Sequence, residues 1–379
     1  MLLLLWVLFW CAGLLIVYTY AGYPLLCAVR ARLWPRPLAP QLDELNPPMV
    51  AVVLAAWREA TTIAAKLGTL RDQDYPPERL RVVIACDGSD DGTPEAAEAA
   101  GAQLLPGRVT VLRLPRGGKP AALNAAVAAA GDVDILVMTD ARQALSPDAV
   151  RALVADLGDP EVGIVGGELV LAGPEGAGAY WRYEAWLRRN EGIAGSVIGV
   201  SGALYALPRR LWQPLPEETI LDDLLTPLWV RRRGLRVAFE PRARAYDRAV
   251  AHGREFQRKA RTLAGNYQLL LLAPELLWPW SNPSWVGFFS HKLLRLLVPF
   301  ALLVLLGATA GLYWGGGGLA LGGFLLAQVG GYGLAVLHLW PPARRSALVR
   351  LASTFVVLNA AAVAGLWRVL RHGRQQRWT

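Results

Sequence analysis

The sequence predicts an α/β protein with a doubly wound, mostly parallel sheet, flanked by one N-terminal and about three C-terminal transmembrane helices. In the middle of the 379-residue chain, short apolar runs alternate with helical stretches, whereas both flanks contain long apolar runs. The net charge of +9 follows the same division, because all 30 acidic residues lie within 43–275 and 12 of the 39 basic residues lie outside it. The middle is therefore a slightly acidic globular domain, which disfavours nucleic-acid binding.

The N-terminal flank has the length of a membrane span. Residues 2–26 are almost entirely apolar, and no charged residue precedes Arg30. About 20 apolar residues cross a bilayer as a helix, so we predict a transmembrane helix over 1–28 and a linker over 29–47. A cleaved signal peptide is the alternative, but such peptides have a basic start and a shorter apolar run.

The C-terminal flank predicts a bundle of spans over 293–370, at about 293–313, 319–340 and 348–367. The Trp-rich segment 274–292 is typical of the headgroup region, so it is predicted to be interfacial. Basic residues after the first span, Arg30, Arg32 and Arg36, place the middle domain in the cytosol. The basic tail 371–379 does not fit four spans, so either one span is re-entrant or the charge rule fails there.

The middle domain predicts strands at about 49–55, 81–85, 109–114 and 134–139, with helices between them. Thr93 is predicted to cap one helix, with Pro94 at its first position. In parallel sheets, sites form at the carboxyl ends of strands. Glu59, Asp87 and Asp140 each follow such a strand, so we expect them at one edge of the sheet.

A glycine-rich loop carries one of only four lysines in the chain. In Gly117-Gly118-Lys119, exposed backbone N–H groups and a cationic side chain suit a phosphate. No Walker motif or dinucleotide-binding glycine pattern is present, which disfavours ATP hydrolysis and NAD binding. Asp140 beside this loop suits a divalent cation that bridges to a diphosphate. Asp87 could instead belong only to a turn, and the pair Asp222–Asp223 could instead be only the start of a helix.

These motifs together resemble the family 2 glycosyltransferases with the GT-A fold. The resemblance covers about 48–262, and the flanking spans are similar to those of membrane-integrated polysaccharide and glycolipid synthases. Six segments occur in the order of that family: 55–59, 87–89, 118–124, 140–142, 201–205 and 221–223.

The resemblance implies a role for each matching residue. Asp223 is the implied general base of an inverting reaction, with Asp222 as its catalytic neighbour, and Asp140 is the implied metal ligand. Gly202 is implied at the acceptor end of the site, and Glu184 is a further acceptor candidate that could equally belong to the core. The implied nucleotide-sugar-binding residues are Glu59, Asp87, Lys119, Asn124, Asp140, Arg142 and Arg261.

Two departures from the family pattern bear on mechanism. Arg142 stands where the family has the second aspartate of Asp-X-Asp, so the predicted Mg²⁺ or Mn²⁺ would rest on Asp140, with His252 as a weaker candidate ligand. The Gln-X-X-Arg-Trp motif of processive synthases is reduced to Arg261 within 258–262. This favours transfer of one or a few sugars over long-chain synthesis.

We therefore predict an integral membrane glycosyltransferase of the bacterial inner membrane, with a cytosolic GT-A catalytic domain over 48–273. Its predicted partners are a nucleotide-sugar donor, in particular a UDP-sugar, a lipid or glycan acceptor, and membrane lipids, but no nucleic acid. Two alternatives remain open. One is a processive polysaccharide synthase that exports through its spans, and the other is a catalytically silent nucleotide-sugar-binding membrane protein.

Overall fold

The computed structural model describes residues 1–172, 178–248 and 252–373. Its centre is one eight-stranded sheet in the order β3-β2-β1-β4-β7-β6-β8-β5. The strands are β1 Val50–Ala56, β2 Leu80–Asp87, β3 Val109–Leu114, β4 Ile135–Thr139, β5 Ala144–Leu145, β6 Val162–Ala172, β7 Leu204–Pro208 and β8 Arg236–Arg248.

The first four strands in this order are all parallel to one another. The chain moves outward from β1 to β2 and β3, then returns to place β4 on the other side of β1. This reversal is a topological switch point, where open α/β sheets bind ligands. Strand β7 runs antiparallel to β4 and β6, while β6 and β8 are parallel, so the sheet is mixed with a parallel half.

Helices cover both faces of the sheet, which confirms the predicted fold class. The helices of the described residues, including those of the flanks, are α1 Leu2–Val17, α2 Tyr23–Leu33, α3 Ile63–Arg71, α4 Thr93–Leu104, α5 Lys119–Ala129, α6 Ala149–Leu157, α7 Ala179–Ala194, α8 Asp222–Arg232, α9 His252–Leu272, α10 Trp285–Gly287, α11 Leu294–Trp314, α12 Gly318–Leu337 and α13 Ala347–His372. On one face, α3, α4 and α6 pack on alternate residues of β1 and β2. On the other, α5 and α8 pack on the intervening residues, in a core that extends to Phe288 and Leu296 at the start of the membrane helices.

The predicted strands lie within about two residues of the observed ones, but the predicted cap of α4 is wrong. Helix α4 begins at Thr93, and the residue before it is Gly92. The carboxylate of Asp91 accepts the Thr93 N–H at 3.2 Å and the Thr93 hydroxyl at 2.5 Å. The Thr93 hydroxyl oxygen in turn accepts the N–H of Glu59 at 2.9 Å. Thr93 therefore links the loop after β1 to the loop after β2.

Four helical segments within the described residues are long and apolar enough to cross a membrane: Leu2–Leu33, Trp285–Trp314, Gly318–Leu337 and Ala347–His372. A π-helical turn over Tyr18–Gly22 joins α1 to α2, and another over Phe288–Leu293 joins α10 to α11. Helices α1 and α11 pack closely, because a Cβ on Gly311 would lie 3.0 Å from Leu5.

The last of these segments, α13, packs on α9 of the sheet domain. A Cβ on Gly365 would lie 2.8 Å from the backbone nitrogen of Ala264 and 3.1 Å from the carbonyl oxygen of Ala260. Arg368 also donates to the Gln257 side chain. The C-terminal half of α13 therefore lies against the globular domain, and α13 also contacts α12. Arg374 and Arg377 of the basic tail lie outside the described residues.

Candidate active site

The carboxyl ends of β1, β2 and β4 bring most of the predicted site residues to one edge of the sheet. Ala56 of β1 lies beside Cys86 of β2, so Glu59 and Asp87 leave the sheet as neighbours. Asp140 follows β4 on the other side of β1. The site therefore straddles the switch point that the strand order creates.

Asp87 holds the glycine loop in place. Its buried carboxylate accepts the N–H groups of Gly117 at 2.7 Å and Gly118 at 3.0 Å, and it pairs with Arg116, whose Nη1 lies 2.7 Å from Oδ2. Gly88 has φ +61°, and an added Cβ would lie 2.8 Å from the Arg116 backbone nitrogen. Only glycine fits this left-handed, tightly packed position. Asp87 thus shapes the loop that precedes Lys119, in addition to its predicted role at the nucleotide.

Trp57 also lies at this edge, between two arginines, and was not among the predicted site residues. The guanidinium of Arg116 lies 3.9 Å from the centroid of the Trp57 ring, and that of Arg58 lies 5.3 Å from it. Trp57 is 37% exposed directly after β1, so its indole is available for stacking. An exposed aromatic residue immediately after a buried strand, with basic residues in the facing loop, was the signal that could have identified it.

Glu59 organises the loop after β1. Its carboxylate accepts the hydroxyl of Thr62, and the neighbouring Arg58 makes two hydrogen bonds of 2.7 and 2.8 Å to Asp90. Among the described residues, the hydrogen bond to the Glu59 carboxylate comes from its own loop.

Lys119 lies at the centre of a cluster of carboxylates. Its Nζ is 3.0 Å from Asp140 Oδ1 and 3.4 Å from Asp222 Oδ1. Gly202 donates its N–H to Asp223 Oδ2 at 3.3 Å, and a Cβ on Gly202 would lie 3.5 Å from both that oxygen and Nζ. Burial opposes the charge on Lys119, but the nearby aspartates, led by Asp140, raise its pKa above the ordinary value.

Asp222 and Asp223 begin α8 but differ in surroundings. Asp222 is buried and faces Lys119, whereas Asp223 is half-buried and bonded to Gly202. Burial, followed by the charge of Asp222, raises the pKa of Asp223 to about 6, although the ammonium groups of Lys119 and Lys292 oppose the shift. Asp223 can therefore accept a proton near neutral pH.

Arg261 lies within electrostatic range of this cluster, whereas Arg142 is paired elsewhere. Arg261, on α9, is half-buried; burial lowers its pKa, while the charges of Asp140 and Asp223 act in the other direction. It therefore contributes positive charge to the same site. Arg142 instead pairs with Asp247 of β8, with Nη2 3.0 Å from Oδ2. The missing second aspartate of Asp-X-Asp is thus replaced by an ion pair that ties the strand end to β8.

Lys66 donates hydrogen bonds to the end of β4 and to the segment after it, a role that was not predicted from the sequence. Its Nζ lies 2.8 Å from the hydroxyl oxygen of Thr139 and 2.8 Å from the carbonyl oxygen of Gln143. Burial lowers its pKa to about 7, against the attraction of Asp140. The segment that carries Asp140 is therefore fixed by a buried amine as well as by the sheet.

The structure does not bring Asn124 and Glu184 to this cluster. Asn124 donates to the carbonyl oxygen of Leu215 at 2.9 Å and accepts its N–H at 2.9 Å. It also lines a surface cavity of about 820 Å³ at the opposite end of β4 from Asp140. Because both its nitrogen and its oxygen bond to the Leu215 backbone, Asn124 positions the loop before Asp222.

Glu184 lies on α7 and bonds to the membrane helix α11. Its carboxylate is 2.6 Å from Arg295 Nη1 and 3.3 Å from His291 Nε2. Burial favours the neutral form, but Arg295 and His291 hold the pKa of Glu184 well below its usual range. Glu184 is therefore a buried anchor between the globular domain and the membrane helices, a role that its sequence surroundings did not reveal.

The carboxylate of Asp140 has one oxygen that no protein group of the described residues engages, so it could hold a divalent cation. The Asp140 side chain is 38% exposed, and only Oδ1 is engaged by Lys119. Among the described residues, no group of three His, Cys, Asp or Glu side chains could hold a metal. Mg²⁺ commonly binds through one or two carboxylates together with substrate phosphates, so a single carboxylate is compatible with a donor-supported site. The side chain of His252 lies outside the described residues.

Residues 47–264 match the family model described as glycosyltransferase like family 2. An N-acetylglucosaminyltransferase of Rhizobium meliloti (strain 1021) is 32% identical over 151 residues, 38% of this chain and 34% of that protein. A beta-monoglucosyldiacylglycerol synthase of Synechocystis sp. is 28% identical over 189 residues, 47% of this chain and 39% of that protein. The chain thus spans little more than a third of the length of these relatives.

A solved structure extends the similarity to the membrane helices. A mannosyltransferase from Pyrobaculum calidifontis, in complex with GDP-Man and Mn²⁺, superposes with a TM-score of 0.74 at 26% identity. The match covers 96% of this chain and 99% of that chain.

Proposed function

The chain belongs to glycosyltransferase family 2, and from this premise we propose that it transfers one sugar, with inversion, from a nucleotide sugar to a hydroxyl group at the membrane surface. The observation that carries the proposal is the convergence of Asp223, Lys119 and Asp140 within one cluster at the switch point. The proposed acceptor is a lipid or glycan, and the catalytic domain is proposed to face the cytosol.

Asp223 is the proposed general base. Asp222 is engaged with Lys119, whereas Asp223 is half-buried and has no ion pair within 4.0 Å among the described residues. A base with a pKa of about 6 is largely ionised at pH 7 and still able to take a proton. As the acceptor oxygen bonds to the anomeric carbon, its proton passes to Asp223. Attack from the side opposite the leaving diphosphate inverts the anomeric centre.

The leaving group is stabilised by positive charge from two elements. Lys119 begins α5 and Arg261 projects from α9, so both cations are positioned by helices and not by free loops. When bound at Asp140, a divalent cation would further neutralise the diphosphate. Preorganised charges of this kind act on the transition state because they need not reorient as the bond breaks.

The first experiment identifies the nucleotide of the donor and the acceptor. A UDP-sugar is the predicted donor, whereas the Pyrobaculum structure contains GDP-Man, so both are compared. Nucleotide release by the detergent-purified full chain is measured with UDP-, GDP- and dTDP-sugars, diacylglycerol and phospholipid acceptors, with and without Mg²⁺ or Mn²⁺. Acceptor-dependent release with a single-sugar product supports the proposal.

Two variants make this experiment specific. Asp223→Asn should abolish transfer while nucleotide-sugar binding remains, whereas Asp132→Asn, at an exposed surface position, should leave both unchanged. Long product ladders would contradict single transfer and favour a processive synthase. Absence of release from the wild type with every mixture would favour a silent binding protein.

A further inference from the structure

Lys292 lies near the start of the second apolar segment and has no contact partner among the described residues. It belongs to the π-helical turn Phe288–Leu293, in which Ser290 and His291 are buried, while Lys292 remains partly exposed. In the part of the chain that the structure describes, its ammonium makes no hydrogen bond or ion pair. The other three lysines each have a partner: Lys66 bonds to Thr139, Lys119 to Asp140, and Lys259 lies over Trp181.

The carboxylates nearest to this turn are already engaged by other groups. Glu184 bonds to Arg295 and His291, as described above. Glu191 accepts from the Tyr23 hydroxyl at 2.7 Å and lies 2.7 Å from His291 Nδ1. Neither carboxylate contacts Lys292. Lys292 therefore has no contact partner among the described residues, although the charges of Glu184 and Glu191 act on its ammonium, and an external anion can bind there at closer range.

The same turn lies next to the proposed base. Gly287, directly before it, packs on Ile198, and two residues further Val200 donates its N–H to the Asp223 carbonyl oxygen at 3.0 Å. The segment then reaches Gly202, whose N–H bonds to the Asp223 carboxylate. The charge of Lys292 is close enough to influence that carboxylate. An acceptor that reaches Asp223 from the bilayer would therefore pass Lys292.

We propose that Lys292 binds the phosphate of an anionic acceptor whose hydroxyl group is presented to Asp223, and that this acceptor is a phospholipid with a hydroxylated headgroup. The inference rests on the proposed function and names its acceptor class. A general base at Asp223 requires a hydroxyl nucleophile, and a partly exposed ammonium that contacts no carboxylate of the described residues can bind an anion. The location at the entry to a membrane segment rich in Trp and Phe favours a lipid over a soluble compound.

The reaction leaves this phosphate unchanged. The acceptor O–H proton moves to Asp223, the acceptor oxygen bonds to the anomeric carbon, and the electrons of the bond between sugar and diphosphate leave with the diphosphate. Lys292 is thus a positioning residue: it contacts a non-reacting part of the acceptor and should control acceptor affinity more than turnover.

The test compares three acceptors: phosphatidylinositol, diacylglycerol and soluble inositol 1-phosphate. With the full chain, Lys292→Met should raise KM for phosphatidylinositol about 10- to 100-fold, the range for a charge-assisted hydrogen bond, with kcat nearly unchanged. Lys292→Arg should restore most of the loss. Arg345→Met, which removes an exposed charge between α12 and α13, should behave as the wild type.

Three outcomes would overturn the inference while the proposed function stands. The first is an equal effect of Lys292→Met on KM for phosphatidylinositol and for diacylglycerol. The second is a preference of the wild type for diacylglycerol over phosphatidylinositol. The third is equal use of inositol 1-phosphate and phosphatidylinositol, which would exclude a lipid as the acceptor. Retention of phosphatidylinositol in native mass spectrometry is independent of turnover, and Lys292→Met should reduce it. Failure of the wild type to turn over any acceptor while retention still depends on Lys292 would contradict the proposed function alone.

Discussion

The Nζ atom of Lys119 lies 3.0 Å from Oδ1 of Asp140. One residue begins α5 and the other follows β4, so the ion pair bridges the two halves of the sheet at the switch point. The diphosphate of a nucleotide sugar must compete with this carboxylate, and with that of Asp222, for the same ammonium. Donor binding is therefore expected to loosen the carboxylate cluster around Lys119.

Replacement of Lys119 by methionine should lower kcat/KM about 10²- to 10³-fold, the range for removing one preorganised donor to a developing charge. The substitution also leaves Asp140 and Asp222 without their shared counter-charge. Steady-state nucleotide release measures the effect, and Lys119→Arg is the matched control that keeps the charge. Wild-type kcat/KM in the methionine variant would exclude Lys119 from leaving-group stabilisation.

The pH dependence of kcat/KM should show an acid limb near pH 6. Asp223 must be ionised to accept the proton, and its pKa is raised to about 6 by burial and by Asp222. Activity should therefore fall about tenfold per pH unit well below pH 6. A profile that stays flat down to pH 5 would contradict Asp223 as the base.

Asp223→Asn should stabilise the fold at neutral pH. Because the pKa of this carboxylate is higher in the folded protein, about 6, than its ordinary value of 3.8, the folded state binds the proton more tightly, and the ionised form destabilises it above pH 6. The cost is about 3 kcal/mol at most, from the difference in pKa. Thermal unfolding in detergent should show a raised Tm at pH 7.5 and a smaller increase at pH 5. An equal shift at both values would indicate an effect unrelated to titration.

Gly88→Ala should weaken donor binding more than Gly92→Ala. Both glycines have positive φ, +61° and +85°, so both substitutions carry a similar backbone penalty of about 1 kcal/mol. Only at Gly88 would the new Cβ meet the Arg116 backbone, while Gly92 faces open space. Titration of the nucleotide sugar into both variants isolates the contribution of the loop contact. Equal affinities would show that the glycine loop tolerates displacement.

The C-terminus is expected on the same side of the membrane as the catalytic domain. Gly365 packs on the backbone of α9, and Arg368 bonds to Gln257 of that helix. Apolar side chains of α13 such as Leu348, Trp367 and Leu370 remain exposed, which suits an amphipathic helix in the headgroup region. Membrane-topology reporters fused at residues 40 and 379 should both report the same side of the membrane. Reporters on opposite sides would show that α13 crosses the membrane completely.

The local pattern of the sequence was sufficient for the sheet and for the edge that carries the site. Continuous apolar runs predict buried parallel strands, and a carboxylate after each run lies at the carboxyl end by necessity, so Asp87 and Asp140 could be placed without coordinates. The roles of Asn124 and Glu184 could not be deduced in this way. Each depends on a partner distant in sequence, Leu215 for the amide and Arg295 for the carboxylate.

The sequence by itself determined the α/β class, the family and the membrane flanks, because these follow from hydrophobic periodicity and from the order of short motifs. Only the tertiary structure decided which charges meet. It placed Lys119 among three aspartates, paired Arg142 with Asp247, and gave Lys292 no contact partner among the described residues, within electrostatic range of Asp223. The reason is physical: periodicity is a property of neighbouring residues, whereas the pKa and availability of a side chain depend on burial and on charges brought from distant segments.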